Sequence, residues 1–407
     1  MTENSKSQQA EKTDSGTEVE RPFDEVLSEL EKRHAWKISV AEHNNPEPAI
    51  SRMPFCWSDY DNRHAAAFRE RYHLEELLED VKDDWQAILL LRHWVFNNMI
   101  NHTNASLPGV EPFSTLDPNA LLTACSVGGT FWCSHFSMVL VAALTSMGFV
   151  ARKQSIDSEH TADEKGSHHG VVDVWVSKFR KWVHLDPNYD HHFERDGIPL
   201  STEEVGQSWQ KNRGEDIQPV VGPKCRPVPR ARKGKTGEPE ACAYFWHLIE
   251  CRNDVFRRDG RGSKCMAVML VDEARKEQPW YQGTPPNSFV KRGYSDGTIV
   301  FTEEPAEAYP DVDAAWMHLE QPHKMPYYCR VQLRTPCAPF FSHYEVSVDG
   351  EPFQRIEGIE YPWRLHPGPC SIEARTVDVA GHRGPVYCIR VDISEDESAT
   401  PQWPWPM

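Results

Sequence analysis

The sequence lacks any apolar run approaching the ~20 residues that a membrane-spanning helix requires. Its opening stretch, MTENSKSQQAEKTDSGTEVE, lacks the apolar segment of a secretory signal. A membrane partner is therefore not expected, and the cytoplasm is the expected location. Close CxxC pairs are missing from the 11 cysteines, an odd number that suits a reducing compartment better than a disulfide framework. Cys56, Cys242, Cys251, Cys265, Cys329 and Cys388 read as buried thiols. A surplus of positive charge is absent too. The 44 basic against 61 acidic residues leave a net charge of -17, which repels phosphate backbones and anionic lipid at long range. Nucleic acid is not an expected partner.

What is present is apolar bulk. A hydrophobic fraction of 39%, with 14 Trp, 17 Phe and 12 Tyr, supplies packed interiors, and 407 residues exceed one ordinary core. Residues 1–22 and 394–407 are polar or proline-broken and read as disordered tails. Residues 23–240 read as a first folded unit with its core at 85–190, and 241–325 as a connecting or accessory region. From about 326 to 393, short strand-like runs such as HYEVSVD and CSIEARTVD, separated by Asp349-Gly350 and Pro367-Gly368, predict a small β-sandwich of immunoglobulin-like type. Lysines and arginines among prolines and glycines at 211–240 read as a basic, solvated loop.

Within the first unit, FDEVLSELEKRHAW reads as helical and the proline-broken PEPAISRMPFCW as loop. Ile88, Leu91, Val95 and Met99 recur at helical spacing, predicting a buried helix over 84–100. Asp117-Pro118 is a helix start, with an N-cap and a proline at the first helical position. In GGTFWCSHFSMVLVAALTSMGF a glycine turn leads into a nearly all-apolar helix from about Cys133 to Met147, closed by Gly148. Strands follow at 149–156 and in GVVDVWV and KWVHL, the last two joined through the connector 177–180.

Cys133 stands where this helix begins, and unpaired N–H groups with the helix dipole stabilise a thiolate there. A thiolate nucleophile needs an imidazole to exchange its proton and a carboxylate to orient that imidazole. His135 is close in sequence, but two residues along a helix turn the side chain by roughly 200°, away from Cys133. His168 and His169 point to opposite faces of an extended chain, so only one of them can meet the sulfur. Asp186 ends the following strand, and antiparallel pairing would carry it back to the start of the His strand. The Cys133 N–H and one further donor would face a developing oxyanion.

At these residues the chain resembles the transglutaminase-like superfamily. The motifs are GGTFWCSHF, His169-Gly-Val-Val-Asp173 and Trp182-Val-His-Leu-Asp186-Pro187, in the family's order, with 36 residues from Cys133 to His169 and 17 from His169 to Asp186. The resemblance covers about 85–190 and selects His169 over His168. Trp132 before the cysteine and Gly170-Val171 after the histidine depart from the commoner family pattern. What it implies is an α+β, papain-like catalytic domain, a central helix packed on an antiparallel sheet. Its triad is Cys133, His169 and Asp186, and acyl transfer runs through a thioester. The implied substrate is a peptide, protein or glycoconjugate, and the chemistry needs no cofactor and no metal. Amide hydrolysis is the preferred outcome. A protein-crosslinking transglutaminase and a non-catalytic scaffold are the alternatives.

Other readings stand beside this one. Cys125, Cys133, His168, His169, His191 and His192 form a conceivable zinc set, yet no CxxC or HxxxH spacing presets it. Asp173 reads as a strand residue supporting the triad, and Asp190-His191-His192 as cleft lining or solvated loop.

Overall fold

The computed structural model describes residues 22–101, 117–158, 168–228, 244–257, 266–278, 299–320 and 327–402. Helices and several mainly antiparallel sheets make the fold α+β. The expected tail at 1–22 lies, apart from Pro22, outside the described residues. So do parts of the expected basic loop and of the 241–325 region.

One helix, Cys133–Ser146, organises the first core. Every residue from His135 to Ser146 is buried, because the segment offers no polar face wide enough to meet water. Each fully buried Leu or Val there contributes about 1.5–3 kcal/mol. Helices Arg63–Arg71, Asp84–Asn98 and Pro118–Ser126 pack on one side of it, and strands Ala151–Asp157 and His168–Val176 on the other. Asp83 caps the second of these helices through the Gln86 N–H, 3.1 Å away. Asp117 caps the third through Asn119 N–H and Ala120 N–H. Both caps fit short polar side chains satisfying the open N–H groups of a first turn.

The strands belong to a six-stranded sheet ordered Ile299–Thr302, Ala267–Leu270, Trp246–Glu250, Ala151–Asp157, His168–Val176, Lys181–Leu185. Its pairs are antiparallel except the first, so residues beyond 240 complete the sheet that carries the His169 motif. The connector expected at 177–180 is a 3-10 turn, Ser177–Phe179, with Arg180 left-handed at φ 51°. Residues 211–228 are not wholly loop. The helix Thr202–Asn212 ends within them, and Gln218–Val221 and Arg226–Pro227 join His191–Arg195 and Ile198–Pro199 in a four-stranded sheet. Pro219, Val220 and Val221, one apolar run between the charges, make that pairing possible.

Two further sheets share one hydrophobic core. The larger is ordered Trp36–Asn44, Tyr387–Glu395, Gly368–Asp378, Phe341–Val348, Gln354–Ile356, and the smaller Trp316–Glu320, Tyr328–Arg334, Glu360–Arg364. The placement of residues 23–44 in the first unit is corrected here. Val26, Leu27 and Leu30 of helix Phe23–His34, with Trp36, lie in this second core, and Trp36–Asn44 pairs along Tyr387–Glu395. Ser394 and Glu395 are strand, not tail, because Lys37 and Trp36 pair with them. Cys56 is exposed rather than buried, since it lies in an irregular segment at the rim, while Cys251, Cys329 and Cys388 are buried. Among the described residues no helix is long and apolar enough to cross a membrane.

Candidate active site

Cys133 is the first residue of its helix, half-buried, and the two glycines before it have separate reasons to be glycine. Gly128 adopts φ 92°, and a Cβ on Gly129 would lie 2.8 Å from the Ala124 carbonyl oxygen. The turn is tied to the segment just past helix Asp84–Asn98 by Phe131 N–H donating to Ile100 O at 2.9 Å. Trp132, exposed on one side, ends this approach as the N-cap residue. Its N–H donates to His135 Nδ1 at 3.3 Å, so His135 is engaged in the helix start rather than with the sulfur.

His169 and Asp186 meet across the hairpin. The imidazole Nε2 lies 2.7 Å from Asp186 Oδ2, and the same imidazole acts on Cys133 through its charge and a side-chain hydrogen bond. His168, one residue earlier, is paired with Asp157 at 3.0 Å. Asp186 is nearly sealed from solvent, and its second oxygen accepts from Asn188 N–H at 2.8 Å and Tyr189 N–H at 3.3 Å. The Tyr189 ring stacks on His169, centroids 5.4 Å apart, and fixes the plane of the imidazole.

The electrostatics of the three groups are coupled. Burial pushes the Cys133 thiol up, but the His169 charge and hydrogen bond, with Gly170 N–H, outweigh it and hold the thiol below its ordinary value. Burial disfavours the charged His169, yet Asp186 and Cys133 raise it well above the usual imidazole range. Burial likewise works against ionised Asp186, and His169 and His191 hold it well below the usual carboxylate range. The arrangement favours a thiolate–imidazolium pair beside a permanent carboxylate, able to attack an acyl carbon and to return a proton.

Several residues at the site take roles that the sequence did not indicate. Gly170 is one: a Cβ there would lie 3.0 Å from Ser134 N and Cα, so the strand reaches the helix start only because position 170 has no side chain. His191 is another, wholly buried, its Nδ1 3.5 Å from Asp186 Oδ2. Burial pushes it down to about 4, so it is neutral at pH 7. Asp190-His191-His192 is neither cleft lining nor solvated loop. Asp190 accepts from Arg92 Nε at 2.9 Å and lies 2.6 Å from His93 Nδ1, while Arg92 Nη1 lies 2.8 Å from His192 Nδ1. A single arginine among the otherwise apolar buried positions of its helix gives no periodic signal. Asp173 is engaged elsewhere than with Cys133, His169 or Asp186, accepting from Thr202 Oγ1 at 2.6 Å and from Gln154 Nε2.

The zinc set considered above does not assemble: Cys125 contacts Met99 Sδ and His168 contacts Asp157. His192, Glu194 and Cys225 do come together with ligand atoms within 4.8 Å of one another. Arg92 donates to His192 Nδ1, so the neutral ring carries its proton on Nε2, which faces Glu194 at 3.0 Å. That nitrogen has no lone pair for a metal, and the guanidinium beside it repels a cation.

No family model matches the chain, and no curated protein matches it. Among solved structures, one match is to the transglutaminase of red sea bream, at 12% identity and a TM-score of 0.25. The aligned part covers 89% of this chain and 63% of that enzyme, so the chain spans less than two thirds of its length. A likeness at that level does not establish a common fold.

Proposed function

We propose that this chain is a cysteine-dependent acyl-transfer enzyme. More particularly, it is a transglutaminase-like hydrolase that cleaves an amide bond in a peptide or glycopeptide through a thioester. The observation that carries this reading is His169 standing between Cys133 and Asp186, 2.7 Å from the latter, beside the first turn of a buried helix. The Cys133 thiolate attacks the carbonyl carbon, and the oxyanion turns toward the open N–H groups of the first helical turn. His169 then gives its proton to the departing amine as the C–N bond breaks. A water molecule, deprotonated by the same imidazole, attacks the thioester and releases the acid and the thiolate. Asp186 keeps the imidazole oriented throughout.

In this reading residues 45–313 form the catalytic unit. The two sheets that share the second core form an accessory β-sandwich, completed by residues 23–44. The absence of disulfides among nine described cysteines supports a cytoplasmic location. The test is a screen of peptides, glycopeptides and simple amides against wild type and Cys133→Ala. Turnover that disappears in the variant supports hydrolysis, and turnover only with an added amine supports crosslinking. If Cys133 reacts with iodoacetamide at pH 6 no faster than Cys125, the enzyme reading fails and a scaffold remains.

A further inference from the structure

The second core carries at its edge a cluster of metal-ligand type that the proposed reaction does not use. The Asp349-Gly350 turn and the 366–370 loop are tied together by Ser371 N–H donating to Asp349 Oδ1 at 2.7 Å and by Asp349 N–H donating to Ser371 O at 3.0 Å. One ligand atom from each of Asp349, His366 and Cys370 lies within 4.8 Å of the other two, with Asp349 and His366 exposed and Cys370 buried. The loop is stiff: Pro367 and Pro369 each fix a φ, and Gly368 turns the chain at φ 100°. Cys370 is thereby returned to His366, whose N–H donates to its sulfur at 3.4 Å.

His366 is the reverse of His192. Its Nδ1 lies 3.0 Å from the Pro367 carbonyl oxygen, which can only accept, so Nδ1 carries the proton of the neutral ring. The lone pair is then on Nε2, and Nε2 stands 3.3 Å from Asp349 Oδ2. A lone pair facing a carboxylate is repelled by it, so something electropositive belongs between them, either a second ring proton or a cation. The separation suits a cation: nitrogen and oxygen ligands about 2.0–2.1 Å from a tetrahedral zinc stand about 3.3 Å apart. An imidazole whose other N–H is held by a backbone carbonyl is also the usual form of a metal ligand. The thiol supplies a third donor, and sulfur beside nitrogen selects zinc over calcium or magnesium. The surroundings agree in sign. Glu395, Asp396 and Glu397 line the adjoining cavity with His366, against the single arginine Arg364, whereas the His192 cluster faces a buried guanidinium.

We propose that Asp349 Oδ2, His366 Nε2 and Cys370 Sγ bind a zinc ion, with water as the fourth ligand, and so clamp the 349–350 turn to the 366–370 loop. On binding, the thiol loses its proton to solvent and gives up its 3.2 Å contact with the His366 carbonyl oxygen, while the His366 N–H still supports the sulfur. The site shares no residue with Cys133, His169 and Asp186 and stands independently of the reaction proposed above. The test uses the full chain carrying Cys133→Ala, which removes the active-site thiol as a competing ligand, stripped with a chelator and then loaded with zinc or cobalt chloride. Zinc is expected to bind at one ion per chain and to raise the melting temperature in a concentration-dependent manner. Cobalt is expected to give the visible bands of tetrahedral coordination and a near-ultraviolet thiolate-to-cobalt band. Asp349→Asn keeps an oxygen for the Ser371 N–H and tolerates the left-handed φ of 50°, so it should fold. It and His366→Ala are each expected to weaken zinc by at least about tenfold, as losing even an outer-shell partner does. Cys370→Ser is expected to abolish the near-ultraviolet band. No melting shift with zinc, a cobalt spectrum without the sulfur band, or zinc affinity unaltered in His366→Ala (an ion held elsewhere) would each overturn the proposal. The two exposed positions decide it even if Cys370→Ser misfolds.

Discussion

Gly170→Ala is the sharpest probe of how the site is held. The added methyl would sit 3.0 Å from Ser134 N and Cα and 3.1 Å from its Oγ, where ordinary contact starts at 3.4 Å. The backbone at Gly170 is not left-handed, so alanine brings no conformational strain and the effect is steric. Two of the three atoms belong to the backbone of the first helical turn and cannot rotate away. Strand and helix must part by a few tenths of an ångström, which stretches both the His169–Cys133 contact and the Gly170 N–H contact with the sulfur. A misplacement of about 1 Å costs about 10²-fold in rate, so roughly tenfold is expected here, with overpacking costing about 1 kcal/mol of stability. The assay is the pH dependence of iodoacetamide labelling at Cys133, read by peptide mass spectrometry beside a urea titration. Slower labelling at pH 6 with the fold retained is the expected result. Ser134→Ala should not rescue it, because the backbone contacts remain. Labelling indistinguishable from wild type, in rate and pH midpoint, would refute the claim that this gap positions the pair.

Asp186→Asn removes the charge that keeps His169 protonated. Cys133 labelling below pH 7 should therefore fall by about tenfold or more, about 1.4 kcal/mol for each tenfold, with near-UV circular dichroism unchanged. Where the two cores meet, burial and Asp378 push Asp313 up to about 7. The adjacent His382 is raised to about 9 by Asp84, Asp378 and the Met147 carbonyl against its burial. A folded-state value above the unfolded one means, for the acid, stability lost as pH rises from about 4 through 7. For the histidine it means stability complete below about 6.5 and lost on passing 9. Urea midpoints should thus fall between pH 6 and 9, and Asp313→Asn should recover about 2 kcal/mol at pH 8.5 but little at pH 5. A midpoint that rises over that range would contradict the assignment. Chelation is expected to leave Cys133 labelling unchanged, because Arg92 holds the His192 tautomer that cannot ligate. Stoichiometric zinc retained by His366→Ala, by elemental analysis, would refute that argument.

The central helix and the two strands after it were legible because their signals are local: a glycine pair, an unbroken apolar run, alternation, and a connector of four residues. The separation of His168 from His169 needed the family resemblance, and the structure places them on different carboxylates. Trp36–Asn44 was not legible. Its sequence, WKISVAEHN, is half polar, and what makes it a strand is a partner more than three hundred residues away. The Gly170 requirement was equally hidden, since only the approach of Ser134 excludes a side chain. Arg92, Asp190 and His192 are individually unremarkable and acquire meaning when a left-handed Asp190 turns the chain toward the 84–98 helix. At 211–228 charge suggested solvent, but the short apolar run Pro219-Val220-Val221 won the pairing.

The pairing of Trp36 with Glu395 and of Asn44 with Cys388 sets an order of events during synthesis. The stretch translated first must wait for a partner more than three hundred residues downstream, its hydrogen-bonding edge and the apolar side of Phe23–His34 uncovered while the intervening chain emerges. At about 5–20 residues per second that interval runs to tens of seconds. A nascent chain stalled before residue 387 would have no partner for this edge, and would be a natural client for a chaperone that shields extended apolar segments.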